Sequence, residues 1–298
     1  MNLPMRNLDP EEHQETRELV KSAFSLARAL DIKTLVVQAD EISDRRLVEQ
    51  LRDDERIIWV ARERKQMPVS DPAKDVVLAM PDAALNRLSQ LNLALFLTAL
   101  NRHLGPEEKV LGLSGVTGSQ RLDTLVIAKP ARDYSWLRHH KSAMAVTQHL
   151  ARLLEIALHF AREGREGSSI GAIFVLGDRR TLSPHLRQLI LNPLKGHAPA
   201  VRSIHNPDFL ETLRELAAMD GAFVVNRRGV VDSAGTYLDA PVGQGRLSPG
   251  LGARHAAALA ITTVTDATAV VISASSGTIS VYDGGATALE LAQAHLGV

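Results

Sequence analysis

The sequence predicts an α/β protein with two domains. Residues 1–131 form a mostly parallel α/β domain, and residues 132–298 form an α+β domain with a mixed central sheet. In the first half, short apolar runs alternate with helical segments, which is typical of a parallel sheet covered by helices. The segment Lys129-Pro130-Ala131-Arg132-Asp133 interrupts this alternation. In the second half, turn residues join strands directly to each other, which indicates antiparallel pairing.

The N-terminal domain is predicted to begin with a helix at Asp9-Pro10-Glu11. An acidic N-cap, a proline at the first helical position and acidic residues near the positive end of the dipole all favour a helix start. The apolar face of this helix continues to about Leu30, and leucine spacing predicts a second long helix over Leu85–Leu100. The predicted strands are Thr34–Val37, Ile57–Val60, Val76–Ala79, Lys109–Leu113 and Thr124–Ala128, with a short helix at Asp44–Leu51.

The C-terminal domain is predicted to begin with a long helix from Trp136 to Arg162 that ends at Gly164. A glycine- and proline-rich loop covers Asp239–Gly250, and Ser276-Gly277 joins the last two strands as a hairpin. The predicted strands are Ala172–Leu176, Ala222–Val225, Val230–Ser233, Thr268–Ser273 and Thr278–Tyr282. The predicted helices are Pro184–Leu191, Pro207–Ala218, one from Ala253, and a final helix after Tyr282.

Composition excludes several classes of function. The 298 residues carry 34 basic and 34 acidic side chains, so no net field attracts nucleic acid or anionic lipid, and nucleic acid is not an expected partner. The chain has no cysteine, which excludes disulfides, thiolate catalysis and cysteine-bound metals and fits a reducing compartment. It has neither an apolar signal core at its N-terminus nor an apolar run that would span a bilayer. We therefore expect a cytoplasmic protein without a membrane partner.

Asp220-Gly221-Ala222 lies between a predicted helix and a predicted strand. A carboxylate at this position can hold a divalent metal or accept a proton from a hydroxyl group. The adjacent glycine has no side chain to block close approach of a ligand. Taken alone, the three residues fit an ordinary helix-to-strand turn better than a site.

Gly252-Ala253-Arg254-His255 begins another predicted helix. Unpaired backbone amides and the helix dipole attract phosphate at such a position. Arg254 would add a cationic fork, and His255 would add a further donor or a metal ligand. A surface arginine and a half-buried histidine at a helix start would explain the pattern equally well.

Two further segments have both a functional and a structural interpretation. Ala234-Gly235-Thr236-Tyr237-Leu238 closes the strand that follows Asp220, and its tyrosine could stack on a base while backbone groups of the turn read the base edge. A tyrosine at a strand end is more often simple packing. Gly115-Val116-Thr117-Gly118 follows a strand and could bind an anion, but a simple turn is the better interpretation.

Together, these segments resemble the catalytic domain of diadenylate cyclases from about Gly164 to Tyr282. The order and spacing of the motifs are more specific than any single motif. The matching segments are Gly164-Arg165-Glu166-Gly167, Val175-Leu176-Gly177-Asp178, Leu191-Asn192-Pro193, Asp220-Gly221-Ala222, Ala234 to Leu238, Leu251 to His255, Thr265-Asp266-Ala267, Ser273 and Gly277 to Ser280. The N-terminal half is similar, in pattern more than in motif, to the pyruvate-kinase-C-terminal-like domain of the archaeal-type branch.

The resemblance implies that two ATP molecules condense into cyclic di-AMP, with release of two pyrophosphates, at the face-to-face interface of two catalytic domains. It thus implies ATP as substrate, cyclic di-AMP as product, self-association, and a divalent metal (Mn or Mg) as cofactor. It assigns Asp220, Arg254 and His255 to catalysis, with Asp220 and His255 also at the metal. The residues that it assigns to nucleotide binding are Gly221, Ala222, Gly235, Thr236, Tyr237, Leu238, Gly252, Arg254 and Ser273.

Two positions depart from the family pattern. Ala256 stands where a second arginine usually follows the histidine, and Ala274-Ser275-Ser276 replaces an acidic segment whose glutamate lies near the metal. One phosphate contact and one carboxylate of the family are therefore absent from these positions. This leaves a second hypothesis, a catalytically silent regulator that binds ATP or cyclic di-AMP. A third hypothesis places the active part in the N-terminal half, where no cluster of acids, histidine and lysine near strand ends supports it.

Overall fold

The computed structural model describes residues 10–42, 44–62, 74–81, 83, 85–105, 107–129, 144–164, 170–241 and 252–292. These residues divide into two compact units, one within residues 10–129 and the other within residues 144–292. The predicted boundary between residues 131 and 132 and the predicted start of the long helix at Trp136 lie outside the described residues, as does most of the predicted loop at 239–250. No helix in the described ranges is long and apolar enough to cross a bilayer.

The N-terminal unit is built on a five-stranded sheet with the strand order β3-β2-β1-β4-β5. Its helices are α1 (Pro10–Ala29), α2 (Arg46–Leu51) and α3 (Arg87–Leu100), and its strands are β1 (Thr34–Gln38), β2 (Arg56–Ala61), β3 (Val76–Ala79), β4 (Val110–Ser114) and β5 (Thr124–Ala128). Four strands run parallel, and β5 pairs antiparallel with β4. The predicted mostly parallel α/β domain is therefore confirmed.

Burial explains why this sheet forms from such short apolar runs. Every residue of β1 is buried, since the strand lies at the centre of the sheet. The buried carboxylate of Glu41 fixes the loop that follows β4, because it accepts hydrogen bonds from the amides of Gly118 (2.8 Å) and Gln120 (3.0 Å) and pairs with Arg62 (2.9 Å). The amide of Gly118 is therefore occupied by a hydrogen bond within the protein. This favours the interpretation of the Gly115–Gly118 segment as a simple turn over an anion-binding site.

The C-terminal unit is built on a seven-stranded mixed sheet with the strand order β12-β11-β10-β6-β8-β9-β7. Its helices are α4 (Met144–Glu163), α5 (Arg179–Leu182), α6 (Phe209–Leu216) and α7 (Ala253–Val264). Its strands are β6 (Ala172–Gly177), β7 (Leu186–Gln188), β8 (Ala222–Asn226), β9 (Val231–Leu238), β10 (Thr268–Ile272), β11 (Ile279–Asp283) and β12 (Ala286–Leu291). Among the described strands of this unit, only β6 and β8 pair in parallel, which confirms the predicted mixed sheet.

The two faces of this sheet are covered by different helices. Successive strand residues point to opposite faces, and Phe174 packs against Phe160 of α4 with ring centroids 6.3 Å apart. On the opposite face, Ile173 and Val175 join a buried cluster that includes Ala258 and Ile261 of α7. The sheet is therefore buried on both faces, and α7 is held with its N-terminus near one end of the strands.

Two predicted helices of this unit are wrong. The segment predicted as a helix at Pro184–Leu191 contains β7, because Leu186, Arg187 and Gln188 pair antiparallel with β9. The segment after Tyr282, predicted as a final helix, contains β12 instead. Gly284 and Gly285 both have positive φ values (56° and 73°), and this two-residue turn reverses the chain into a hairpin.

A third difference concerns the segment from Ala234 to Leu238, which the sequence predicts to be the turn that closes a strand. It forms the second half of β9 and pairs with both β8 and β7. The strand is prolonged because Leu186 lies opposite Leu238 on the added strand β7. Tertiary pairing thus decides the conformation of residues whose local propensity is weak.

Candidate active site

The C-terminal unit contains a pocket of about 890 Å³ at one end of its sheet. This volume lies in the range of about 300–1,000 Å³ that small-molecule sites occupy. The pocket is at the end where β6, β8 and β11 begin and where β9, β10 and β12 finish. The predicted site residues that line it are Asp220, Gly221, Ala222, Thr236, Tyr237, Leu238, Gly252, Arg254, His255 and Ser273.

Asp220 stands at the rim of the pocket, immediately before β8. Its side chain is 96% exposed, so the carboxylate is available to a ligand. The next residue, Gly221, has φ +104°, and a Cβ atom there would lie 2.6 Å from the backbone nitrogen of Thr236. The lack of a side chain at Gly221 therefore allows β8 and β9 to approach each other, which places Asp220 beside the β9 part of the pocket.

Arg254 faces Asp220 from the first turn of α7. The Nη2 atom of Arg254 lies 3.9 Å from the Oδ1 atom of Asp220. The Gly252 carbonyl accepts hydrogen bonds from the amides of His255 (3.0 Å) and Ala256 (3.2 Å), so Gly252 is the N-cap of the helix. The first amides of a helix have no intrahelical acceptor and carry the positive end of the dipole. The pocket is therefore electropositive at this wall and carries a carboxylate at its rim.

His255 is held by a tyrosine from the neighbouring hairpin. Its Nδ1 atom shares a 2.9 Å hydrogen bond with the hydroxyl of Tyr282, and the two rings meet edge to face with centroids 5.9 Å apart. Burial lowers the pKa of His255 below its ordinary value, although the negative charge of Glu290 opposes this effect. The lowered pKa favours the neutral imidazole, and the bond to Tyr282 leaves Nε2 as the nitrogen that can meet a ligand.

The segment from Ala234 to Leu238 on β9, which the sequence predicts to contact a nucleotide base, contributes some residues to the pocket and others to packing. Tyr237 lines the pocket and is half exposed, so its ring can contact a ligand. The Thr236 side chain is fully buried, and its hydroxyl already bonds to Ser233 (2.7 Å) and Gln188 (2.8 Å). Gly235 does not line the pocket: it has φ +62°, and a Cβ atom there would lie 2.8 Å from the Ile190 side chain. Gly235 thus serves packing between β9 and the segment after β7.

The turn between β10 and β11 forms the remaining wall. The Ser273 amide donates a 2.9 Å hydrogen bond to the carbonyl of Thr278, and the hydroxyls of Ser273 and Ser275 are 3.2 Å apart. Ser273, Ala274, Ser275 and Ser276 all line the pocket. The wall therefore offers hydroxyl groups but no charge at the positions where the family pattern has acidic residues.

Comparison with known proteins finds relatives of this unit. Residues 159–287 match the DAC family model, described as DisA bacterial checkpoint controller nucleotide-binding. The chain is similar to the diadenylate cyclase of Methanocaldococcus jannaschii, with 40% identity over 47% of this chain and 44% of that protein. It is also similar to the diadenylate cyclase of Haloferax volcanii, with 36% identity over 47% of this chain and 51% of that protein. The chain thus spans about half the length of each relative that it matches.

Similarity to solved structures is weaker. A double mutant of DacA from Staphylococcus aureus shares 23% identity and a TM-score of 0.31, over 47% of this chain and 84% of that chain. A TM-score this low adds nothing to the description of the fold. The DAC match lies in the C-terminal unit, so the similarity of the N-terminal domain to a pyruvate-kinase C-terminal domain stays a prediction.

The DAC segment contains every predicted site residue, but the pocket also uses residues that the sequence did not single out. The pocket residues that were missed include Leu189, Tyr282, Thr287 and Glu290. Glu290 lies three residues beyond the end of the DAC match. Most of these residues lie on the hairpin of β11 and β12. Interpreting Gly284-Gly285 as a turn would have predicted this hairpin and, with it, this wall of the pocket.

Gly171 is a further missed residue, and it makes room for Arg254. A Cβ atom at Gly171 would lie 2.6 Å from the Nη1 atom of Arg254 and 2.7 Å from the Cβ atom of Ala274. We expect Gly171→Ala to displace the guanidinium and, under the ATP-binding function proposed below, to weaken ATP binding by about tenfold, which corresponds to about 1.4 kcal/mol. Calorimetric titration with ATP will measure this loss.

Gly105→Ala is the control for this substitution, because its nearest side-chain contact would be an ordinary 3.6 Å and it lies in the N-terminal unit. The control should bind ATP as the wild type does. Unchanged ATP affinity in a folded Gly171→Ala variant would show that Arg254 does not depend on this position.

Proposed function

We propose that this chain is a diadenylate cyclase, which condenses two ATP molecules into cyclic di-AMP and releases two pyrophosphates. The observation that carries the proposal is the pair formed by Asp220 and Arg254, 3.9 Å apart at the rim of a nucleotide-sized pocket. This pair lies within the segment that matches the DAC family. A carboxylate next to a guanidinium and a helix N-terminus is the combination that transfer of a phosphoryl-type group to a hydroxyl requires.

The proposed reaction consists of two equivalent displacements. The 3′-oxygen of one ATP attacks the α-phosphorus of the other, a new P–O bond forms, and the bond to the β-phosphate oxygen breaks. Pyrophosphate leaves with the electron pair of that bond, and the 3′-hydroxyl gives its proton to the Asp220 carboxylate. Repetition with the roles of the two nucleotides exchanged closes the ring.

The other residues of the pocket position the nucleotide and compensate its charge. Arg254 offers a planar fork of donors to phosphate oxygens, and the first amides of α7 point toward the same region. Tyr237 supplies an aromatic surface for adenine, with Leu238 and Ala222 lining the pocket beside it. In-line positioning of reactants accounts for much of the rate in such reactions, so this arrangement of rigid strand ends and a helix start supports the proposal.

A divalent metal fits the pocket as a cation shared with the nucleotide. The described residues include no group of three or more histidine, aspartate or glutamate side chains that could hold a metal by themselves. Magnesium is commonly bound by one or two carboxylates together with substrate phosphates. Asp220 is the carboxylate beside Arg254, and the Nε2 atom of His255 is the second candidate ligand. When bound, the metal would neutralise phosphate charge and favour ionisation of the attacking hydroxyl.

The reaction requires two copies of the pocket, because each nucleotide needs its own helix N-terminus and arginine. Self-association through the catalytic domains is therefore part of the proposal. Its support is the apolar segment Leu189–Leu191, which borders the pocket through Leu189 and in which Leu191 is 95% exposed. Exposed apolar segments of this kind commonly mark interaction sites.

Incubation of the purified protein with ATP and Mg²⁺ or Mn²⁺ tests the proposal. We expect mass spectrometry to detect cyclic di-AMP, with two pyrophosphates for each product molecule. Activity per chain should fall when the protein is diluted until it dissociates, and a rate per chain that is independent of concentration would contradict the two-chain site. ATP binding without turnover in either metal would favour the silent regulator, and lack of binding of both ATP and cyclic di-AMP would contradict both functions.

A further inference from the structure

We propose that Tyr282 is a positioning residue, whose hydroxyl holds His255 in the tautomer that carries its proton on Nε2, so that His255 meets a bound nucleotide as a hydrogen-bond donor. The Nδ1 atom of His255 and the hydroxyl of Tyr282 are 2.9 Å apart, and both side chains line the pocket. The effect on nucleotide binding rests on the proposed function, whereas the tautomer is a property of the free protein. The tautomer decides between the two roles that the sequence leaves open for His255, a donor or a metal ligand.

Packing of the Tyr282 ring fixes the position of its hydroxyl. The side chain is only 4% exposed and belongs to the buried cluster that includes Ala258 and Ile261 of α7, the helix that also carries His255. The rings of Tyr282 and His255 meet edge to face, with centroids 5.9 Å apart. The hydroxyl therefore cannot leave His255 without disturbing the core, which makes it a preorganised partner for the imidazole.

Two further hydroxyls surround the oxygen of Tyr282. Ser280 precedes Tyr282 by two residues on β11, so both side chains point to the same face, and Thr287 lies opposite Tyr282 on β12. Burial raises the pKa of Tyr282, and hydrogen bonds with the side chains of Ser280 and Thr287 oppose this effect. A hydrogen bond that lowers the pKa of a hydroxyl is one donated to its oxygen. Ser280 and Thr287 thus occupy the acceptor sites of this oxygen, which leaves the Tyr282 proton for His255.

Intrinsic acidity favours the same direction for the bond between Tyr282 and His255. A phenol, with a pKa of about 10, is a better donor than the N–H of a neutral imidazole, and the bare imidazole nitrogen is the better acceptor. With Nδ1 as acceptor, the single proton of the neutral ring is on Nε2. A protonated Nε2 has no free lone pair for a cation, so it would donate to a phosphate oxygen beside Arg254. Of the two candidate metal ligands, only Asp220 would then remain.

The tautomer can be read by ¹⁵N NMR of the free protein labelled with ¹⁵N-histidine. The chain has 11 histidines, and the signals absent from His255→Gln assign the ring of His255. At a pH of about 8.5, above the ordinary histidine pKa of about 6.5, we expect an unprotonated Nδ1 and a protonated Nε2. In Tyr282→Phe the two tautomers should exchange, so the two nitrogen shifts should move toward each other. The control Thr262→Val removes a buried hydroxyl of α7 that bonds to backbone carbonyls and does not line the pocket, and it should keep the wild-type shifts.

Nucleotide binding tests whether this tautomer serves the pocket. Calorimetric titration measures the Kd of a non-hydrolysable ATP analogue in Mg²⁺ and in EDTA, and thermal unfolding confirms that each variant is folded. Tyr282→Phe should bind about two- to tenfold more weakly in both conditions, the effect of about one well-placed hydrogen bond, because a donor to phosphate acts without metal. In the His255→Gln background, Tyr282→Phe should have no further effect, because glutamine lacks the Nδ1 atom through which Tyr282 acts. Thr262→Val should match the wild type.

Four results would overturn the inference and leave the proposed function standing. They are a proton on Nδ1 in the wild type, unchanged binding by Tyr282→Phe, a loss confined to Mg²⁺, and an equal loss in the presence and absence of His255. The first and third would make Nε2 a metal ligand, and the fourth would give Tyr282 a structural role alone. If the wild type binds no analogue in either condition, the proposed function fails, and the positioning role fails with it even if the NMR spectrum shows the expected tautomer.

Discussion

Asp220→Asn is expected to reduce cyclic di-AMP synthesis by about 10²–10⁴-fold, the range over which a positioned acid or base contributes to catalysis. The substitution keeps the size of the side chain but removes both its charge and its ability to accept a proton. Because the Asp220 side chain is 96% exposed, its replacement should leave the free energy of unfolding within about 0.5 kcal/mol of wild type. Product formation under saturating ATP and Mg²⁺ is the measurement.

The matched control for this variant is Asp208→Asn. Asp208 is an exposed aspartate at the start of α6, its side chain makes no capping hydrogen bond, and it does not line the pocket. We expect this control to retain full activity. If Asp220→Asn kept more than a small fraction of wild-type turnover, the attacking hydroxyl would have to lose its proton to another group, and the role proposed for Asp220 would be wrong.

Arg254→Met should produce the second large effect, a loss of about 10²–10³-fold in kcat/KM, comparable to removal of one preorganised donor in other active sites. Methionine keeps much of the aliphatic stem, so the variant chiefly removes the guanidinium that compensates phosphate charge. Arg254→Lys should recover only part of the activity, because a point charge cannot reproduce the planar fork. Steady-state kinetics with varied ATP will separate effects on kcat from effects on KM.

Arg227→Met is the control, since Arg227 is a half-exposed arginine of the same unit that pairs with Asp266 at 2.6 Å and does not line the pocket. Wild-type kinetics are expected. The double variant Asp220→Asn with Arg254→Met should lose far less than the product of the two single losses, because residues that act on one transition state are not additive. Fully multiplicative losses would indicate that the two side chains act independently.

The sequence predicted those parts of the fold in which local pattern and tertiary context agree. The apolar run of β1 predicts a strand, and the leucine spacing of α3 predicts a helix. Both patterns are informative because burial of these side chains determines the conformation of each segment. The convergence of Asp220 with Arg254 was also predictable, although only through the order of motifs that resemble a known family. Their spacing alone does not predict that two residues 34 positions apart lie at the same rim of the pocket.

The failures share a physical cause. β7 exists because β9 offers an edge for pairing, and three residues of mixed polarity carry little signal of their own. β12 was missed because Gly284-Gly285 was not interpreted as a hairpin turn, and this error removed Glu290 from the candidate site. The bulge on β12 shifts the register by one residue, and such shifts depend on packing that a sequence does not display.

The pocket is assembled from strand ends that are far apart along the chain, from Ile173 near the start of β6 to Glu290 near the end of β12. No contiguous fragment that lacks the last hairpin can contain the complete wall. Contacts between distant segments form late and slowly, because the intervening chain must first be ordered. Nascent or proteolytically shortened molecules that lack the last hairpin would therefore be unable to bind nucleotide. Ligand binding by this unit would indicate that all strands of its sheet have paired.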